Sequence, residues 1–286
     1  MFMRMFSFAF FKSSHKQILP GFRFSLTATL LWTGFLIVFP LSTLLIKPWQ
    51  DGCESMLSAL HDDRMFAAVW FSFSCAILAA ICNIPFGLML AWALVRARLP
   101  GHRIADALID LPLALPTAVT GITLATLYST QGWLGAPLSQ LGVTASYGRL
   151  GVILTLMFVG LPFVVRAVEP VLRTLPRDLE EAAMLLGANS YQTFTRVILA
   201  PLLPALITGF GLSFARGMGE YGSVIFIAGN QPFKSEIAPL LIVIRLQEFD
   251  YTGATAIALI LLATSLLTLF LVGLVRRRLS LWNEFV

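Results

Sequence analysis

The chain has 286 residues, of which 57% are hydrophobic and only 12% charged, and its mean hydropathy is +0.82. Soluble globular domains carry about 25% charged residues, so this composition excludes one and predicts an all-α integral membrane protein. The net charge of +5 does not call for nucleic acid, because in a membrane chain a basic excess gathers in cytoplasmic loops.

Residues 1–23 carry Arg4, Lys12, Lys16 and Arg23 and no acid, and the apolar run 24–46 then predicts a first span. That run exceeds the roughly 7–15 residues of a signal-peptide core, and no small-residue cleavage site stands out behind it. An acidic loop with Asp51, Glu54, Asp62 and Asp63 follows. The second span, 66–95, contains Asn83 and Pro85 and ends at Arg96, Arg98 and Arg103. Residues 111–128 are expected as a third span and 150–168 as a fourth, in which Arg166 can snorkel. The fifth is expected over 202–227 and the sixth over 254–275, stopped by Arg276, Arg277 and Arg278. With six spans, fourteen Lys and Arg fall on the side of the termini and five on the other, with Arg216 inside a span. The positive-inside rule then puts both termini in the cytoplasm. The partition is an N-terminal segment with first span and external loop (1–65), a membrane core (66–275) and a basic tail (276–286).

The loop 176–201 is polar and amphipathic in an otherwise apolar chain. Asp178 is expected as an N-cap with Glu181 closing a capping box, and Leu179, Ala182, Ala183 and Leu186 share one helical face. Gly187 stands where a left-handed C-terminal cap ends that helix, and Ser190 is expected to cap a second. Paired alanines leave part of the face flat enough for another protein to approach.

Glu181-Ala182-Ala183 followed by Gly187, on a cytoplasmic loop before the penultimate span, resembles the EAA loop of the membrane subunits of binding-protein-dependent ABC importers. The resemblance implies a type I ABC importer transmembrane fold in which this loop is the coupling helix resting on a cytoplasmic ATPase. It gives Glu181 a capping role and a contact with a basic group of the ATPase, Ala182 and Ala183 close docking, and Gly187 the turn. The family's usual continuation is only partly kept, because Val197 and Leu199 are in place but Ala200 precedes Pro201. The stretches 106–129, 213–230 and 245–258 are similar to the T-type permeases of sulfate/thiosulfate importers. Molybdate permeases share an element like Gly219-Glu220-Tyr221-Gly222, whereas Gln247-Glu248-Phe249-Asp250 is more sulfate-like. The implied partners are a homologous W-type permease forming a heterodimer, two ATPase subunits, a periplasmic sulfate/thiosulfate-binding protein and the lipid bilayer, with no nucleic acid. ATP and Mg are then used by the ATPase and no cofactor by this chain, and the location is the bacterial inner membrane. A plastid relative would carry a longer Ser- and Arg-rich leader than residues 1–23.

The residues themselves suggest no catalysis. None of Lys12, Lys16, Lys47 or Lys234 follows a glycine, as a P-loop demands, and Gly211-Leu212-Ser213-Phe214-Ala215 lacks the second glycine of a serine-hydrolase elbow. Cys53, Cys75 and Cys82 are too scattered for a disulfide framework, and His15, His61 and His102 lie too far from them for a metal site. Arg216 and Glu220, i and i+4 in the fifth span, admit two readings. They form a structural ion pair, or Arg216 with Ser213 and Ser223 offers a passing oxyanion a transient surface. Pro112 and Pro116 likewise mark either a pathway-lining bend or a kink that only improves packing. Outside the ABC class, the rival is a secondary oxyanion transporter driven by an ion gradient, against which six spans without a chain of intramembrane acids speak. Within the class the rival cargo is molybdate or tungstate.

Overall fold

The computed structural model describes residues 22–50, 61–97 and 101–283. The chain divides after Lys47 into two units. The first carries all but the last three residues of α1, in which Phe22–Thr33, a π-helical stretch Gly34–Val38 and Phe39–Gln50 follow one another. The second contains α2 (Asp63–Arg96), α3 (His102–Ala114), α4 (Thr117–Tyr128), the short α5 (Gly135–Gln140), α6 (Arg149–Thr174), α7 (Asp178–Leu185), α8 (Ser190–Met218), α9 (Ala238–Gln247) and α10 (Tyr251–Asn283). Among the described residues five helices are long and apolar enough to cross a bilayer, and α3 with α4 makes a sixth span if the bent pair counts as one. This is the all-α membrane fold that composition predicts.

The core is the mutual packing of α2, α6 and α8. Ser72, Cys75, Ala76, Ala79, Ala80, Asn83, Gly87 and Ala91 line the buried face of α2 at helical spacing, and their small size lets backbones approach. A Cβ on Gly87 would stand 2.5 Å from Val164 Cγ1, and one on Gly160 would stand 2.4 Å from Ser213 Oγ. Asp62 caps α2 by accepting from the Arg64 N–H at 2.9 Å.

Three expected spans change shape. The third begins earlier, at His102, and is broken, its halves meeting at 108°. Leu115 precedes a proline and is therefore driven into the extended region (ψ 140°), while Pro116 sits at the N-cap of α4. The fifth span starts in the loop and stops at Met218 rather than 227. Gly217 and Gly219 weaken the helix there, and the Glu220 carboxylate takes the Ser223 N–H at 3.0 Å and hydroxyl at 2.6 Å, which closes a turn instead. A 3₁₀ turn at Val224–Phe226 and α9 follow, the latter not foreseen. At about 1.5 Å per residue its ten residues cannot cross a bilayer. The sixth span, α10, begins at Tyr251 and runs past the three arginines to Asn283.

The end of the bundle remote from α7 is held by charge. Arg64 donates to both oxygens of Glu236, at 2.9 and 2.7 Å, and the Glu236 side chain is 1% exposed. Arg245 binds Asp62, and the Ala238 N–H donates to Ser72 Oγ at 2.8 Å. Thus α2, α9 and the α9–α10 turn are fastened together where α2 begins.

Candidate functional site

At the other end of α2 lies α7. Its first turn carries Asp178, Glu180 and Glu181, all favourable near a helix N-terminus. The expected capping box is absent: Arg177 occupies the N-cap, Asp178 is already helical, and the N–H groups of Glu180 and Glu181 bond the Arg177 carbonyl at 2.9 and 3.2 Å. The C-terminus follows the expectation. Gly187 has φ +87°, its N–H bonds the Met184 carbonyl and that of Ala188 the Ala183 carbonyl, both at 3.0 Å, which is a Schellman closure. The capping box appears instead at the start of the next helix, one residue before the expected Ser190. Gln192 N–H donates to Asn189 Oδ1 at 2.8 Å, and Asn189 N–H to Gln192 Oε1 at 3.0 Å. Asn189 caps as well as serine does and has the partner three residues on that Ser190 lacks.

Between this cap and the membrane, α8 passes through a π-helical stretch, Thr193–Ile198, in which the Leu199 N–H reaches back to the Phe194 carbonyl. A π turn holds one more residue than an α turn, and α8 continues through it to Met218 without interruption.

Arg96 seats α7. Its Nη2 meets the Leu175 carbonyl at 3.0 Å and Glu180 Oε1 at 2.8 Å, while its guanidinium lies 5.9 Å from the Trp92 ring. Trp92 packs edge-on against Phe194 in the first turns of α8, with ring centroids 6.3 Å apart. The end of α2, the α6–α7 turn and the start of α8 thus carry α7 from beneath. Its other side is bare: Glu181 and Ala182 are exposed, Ala183 is half-buried, and Leu185 and Leu186 are 89% and 90% exposed. Leu185 and Leu186 thus form an exposed apolar surface on a short, firmly seated helix.

The other sequence-derived candidates fall in three places. Arg216 and Glu220 do pair, but Glu220 lies beyond the end of α8, buried, and also holds Ser223. The N-terminal turn of α4 rests on the same segment, since a Cβ on Gly222 would stand 2.2 Å from Thr117 Oγ1. Pro116 is therefore brought beside the Glu220 turn. Ser213 is not: it accepts from Asn83 Nδ2 at 3.0 Å inside the α2–α6–α8 core. Pro112, in the last turn of α3, lines an apolar cleft between α2, α3 and α6.

The residue that sequence reasoning misplaced is Arg166. Rather than reaching towards lipid headgroups, it donates to Asp110 Oδ1 (3.0 Å), Asp106 Oδ1 (2.7 Å) and Glu169 Oε2 (2.6 Å), and Glu169 also accepts from Arg173 at 2.6 Å. Asp106 and Asp110, one turn apart beside an apolar stretch, were the available signal.

Residues 83–281 match the family described as binding-protein-dependent transport system inner membrane component. The chain is 45% identical to the sulfate transport system permease protein CysT of Salmonella typhimurium, over 93% of this chain and 96% of that one. It is 44% identical to CysT of Escherichia coli over 94% and 97%. The probable sulfate transport system permease protein cysT of Nephroselmis olivacea is 46% identical over 86% of each. Among solved structures, a bacterial ABC transporter involved in alginate import superposes with a TM-score of 0.73, covering 90% of this chain and 95% of that chain at 18% identity, which shows a shared type I importer fold. The chain belongs to the binding-protein-dependent transport system inner membrane component family, as a non-catalytic transport permease subunit.

Proposed function

We propose that the chain forms half of the translocation pathway of an ATP-driven sulfate and thiosulfate importer and is driven through α7 by a separate ATPase. The observation that carries the coupling role is α7 itself, clamped from beneath by Arg96 and apolar where it faces away from the chain. The sulfate assignment is supported by the near full-length identity to the CysT permeases. The second half is a homologous W-type permease, two ATPase subunits bind ATP and Mg, and a periplasmic binding protein delivers the anion. The α7 end and both termini lie in the cytoplasm of a bacterial cell, in keeping with the distribution of Lys and Arg.

The test is uptake of labelled sulfate into proteoliposomes holding the whole complex with its binding protein outside. Uptake that requires enclosed ATP and is competed by thiosulfate but not by molybdate is expected. Accumulation driven by a proton or sodium gradient without ATP refutes the reading, and preferential competition by molybdate reassigns the cargo.

A further inference from the structure

The proposed function leaves open how movement of α7 reaches the pathway. We propose that Arg166 is a positioning residue that transmits it, by clamping α3 to α6 so that the two helices move as one and carry α7's motion to the break at Leu115–Pro116.

The chain of contacts is continuous. From α7, Arg96 grips both Glu180 and the Leu175 carbonyl, which ends α6. Within α6, Val164, Val165, Val168 and Leu172 are completely buried, so this half of the helix is fixed in the core. Arg166 leaves α6 between them and holds Asp106 and Asp110, which sit one turn apart on α3. A planar guanidinium bonded to carboxylates at two levels of a helix fixes that helix against both rotation and sliding. Glu169, buried and shared between Arg166 and Arg173, orients the fork.

Packing alone would not hold α3. Among its described residues only Ile109 is buried, and an apolar cleft of about 380 Å³, lined by Leu90, Leu94, Leu108 and Phe158 among others, separates it from α2 and α6. A helix tethered mainly by one charged clamp goes where the clamp goes. Beyond α3 the chain bends by 108° into α4, whose first turn rests on Gly222 beside Glu220.

The experiment compares the complete reconstituted complex with Asp106→Asn/Asp110→Asn, Arg166→Lys, and the exchanged pair Arg166→Asp/Asp110→Arg, measuring anion transported per ATP hydrolysed. The double asparagine variant should keep ATP hydrolysis while anion per ATP falls about tenfold, the size of a lost coupling of this kind. The exchanged pair should recover part of that loss, because it restores a charge pair between the helices. If the asparagine variant does not assemble, Arg166→Lys, which keeps the charge and loses the fork, is expected to show the same fall and decides the matter. Unchanged anion per ATP in the assembled variants overturns the proposal, including when less complex accumulates. The reading on which it rests fails separately, in the unmodified complex, if uptake there is independent of ATP.

Discussion

The two ends of α2 are fastened in opposite ways. Where it begins, Glu236 is withdrawn from solvent and held at two points by Arg64, and Ser72 closes the start of α9. Where it ends, Arg96 shares one guanidinium between a carbonyl and a half-buried Glu180, and the helix it seats turns bare leucines outward. The first end is closed by an ion pair whose carboxylate is buried, whereas the second presents a bare apolar helix. Substitutions should therefore separate folding from transport according to which end they touch.

The largest loss of stability is expected from Glu236→Gln, which replaces a buried carboxylate by a neutral amide opposite the partly exposed Arg64. About 3 kcal/mol, the low end of the range for breaking a buried pair, should appear in equilibrium unfolding of the purified protein. Next comes Gly160→Ala, which forces a methyl group against Ser213 Oγ and should cost about 1–3 kcal/mol in the same assay. Gly187→Val places a β-branched residue at φ +87°, a local strain of roughly 1–2 kcal/mol confined to the end of α7. Its unfolding should be nearly normal while sulfate uptake by the assembled complex falls about tenfold, and Gly187→Asn, which tolerates that backbone, should be mild. Smallest of all, Leu185→Asp/Leu186→Asp should move stability by less than about 0.5 kcal/mol yet abolish co-purification of the ATPase. If the α7 variants unfold as readily as Glu236→Gln, the contrast between the ends is wrong.

Much of this was legible before any coordinates. Long apolar runs with basic ends announce spans whatever their neighbours do, and α2, α6 and α10 follow from them. Gly187 was legible because a left-handed helix end selects glycine almost alone. The Asp178 cap failed since several residues compete for the same orphan N–H groups, and the chain placed Arg177 there while Asn189, backed by Gln192, won the next cap. The stop at Met218 depended on Glu220 turning back to Ser223, a choice that periodicity does not register. Which of two adjacent acids would be held was equally hidden: Glu180 meets Arg96, 84 residues away by number, and Glu181 stays exposed. Arg166 was misjudged for the same reason, its carboxylates standing 56 and 60 residues earlier in the chain.

That separation has a consequence for biogenesis. During synthesis α3 emerges with two carboxylates and waits for another 56 residues before their guanidinium exists, which at about 5–20 residues per second is on the order of 3–11 s. Neither α3, with 13 residues, nor α4, with 12, is long enough to cross a bilayer alone at about 20 residues per span. The bent pair is therefore expected to settle only when α6 arrives, and nascent chains stalled before Arg166 should lack the hold of α3 on α6 that chains stalled after α6 gain through Asp106 and Asp110.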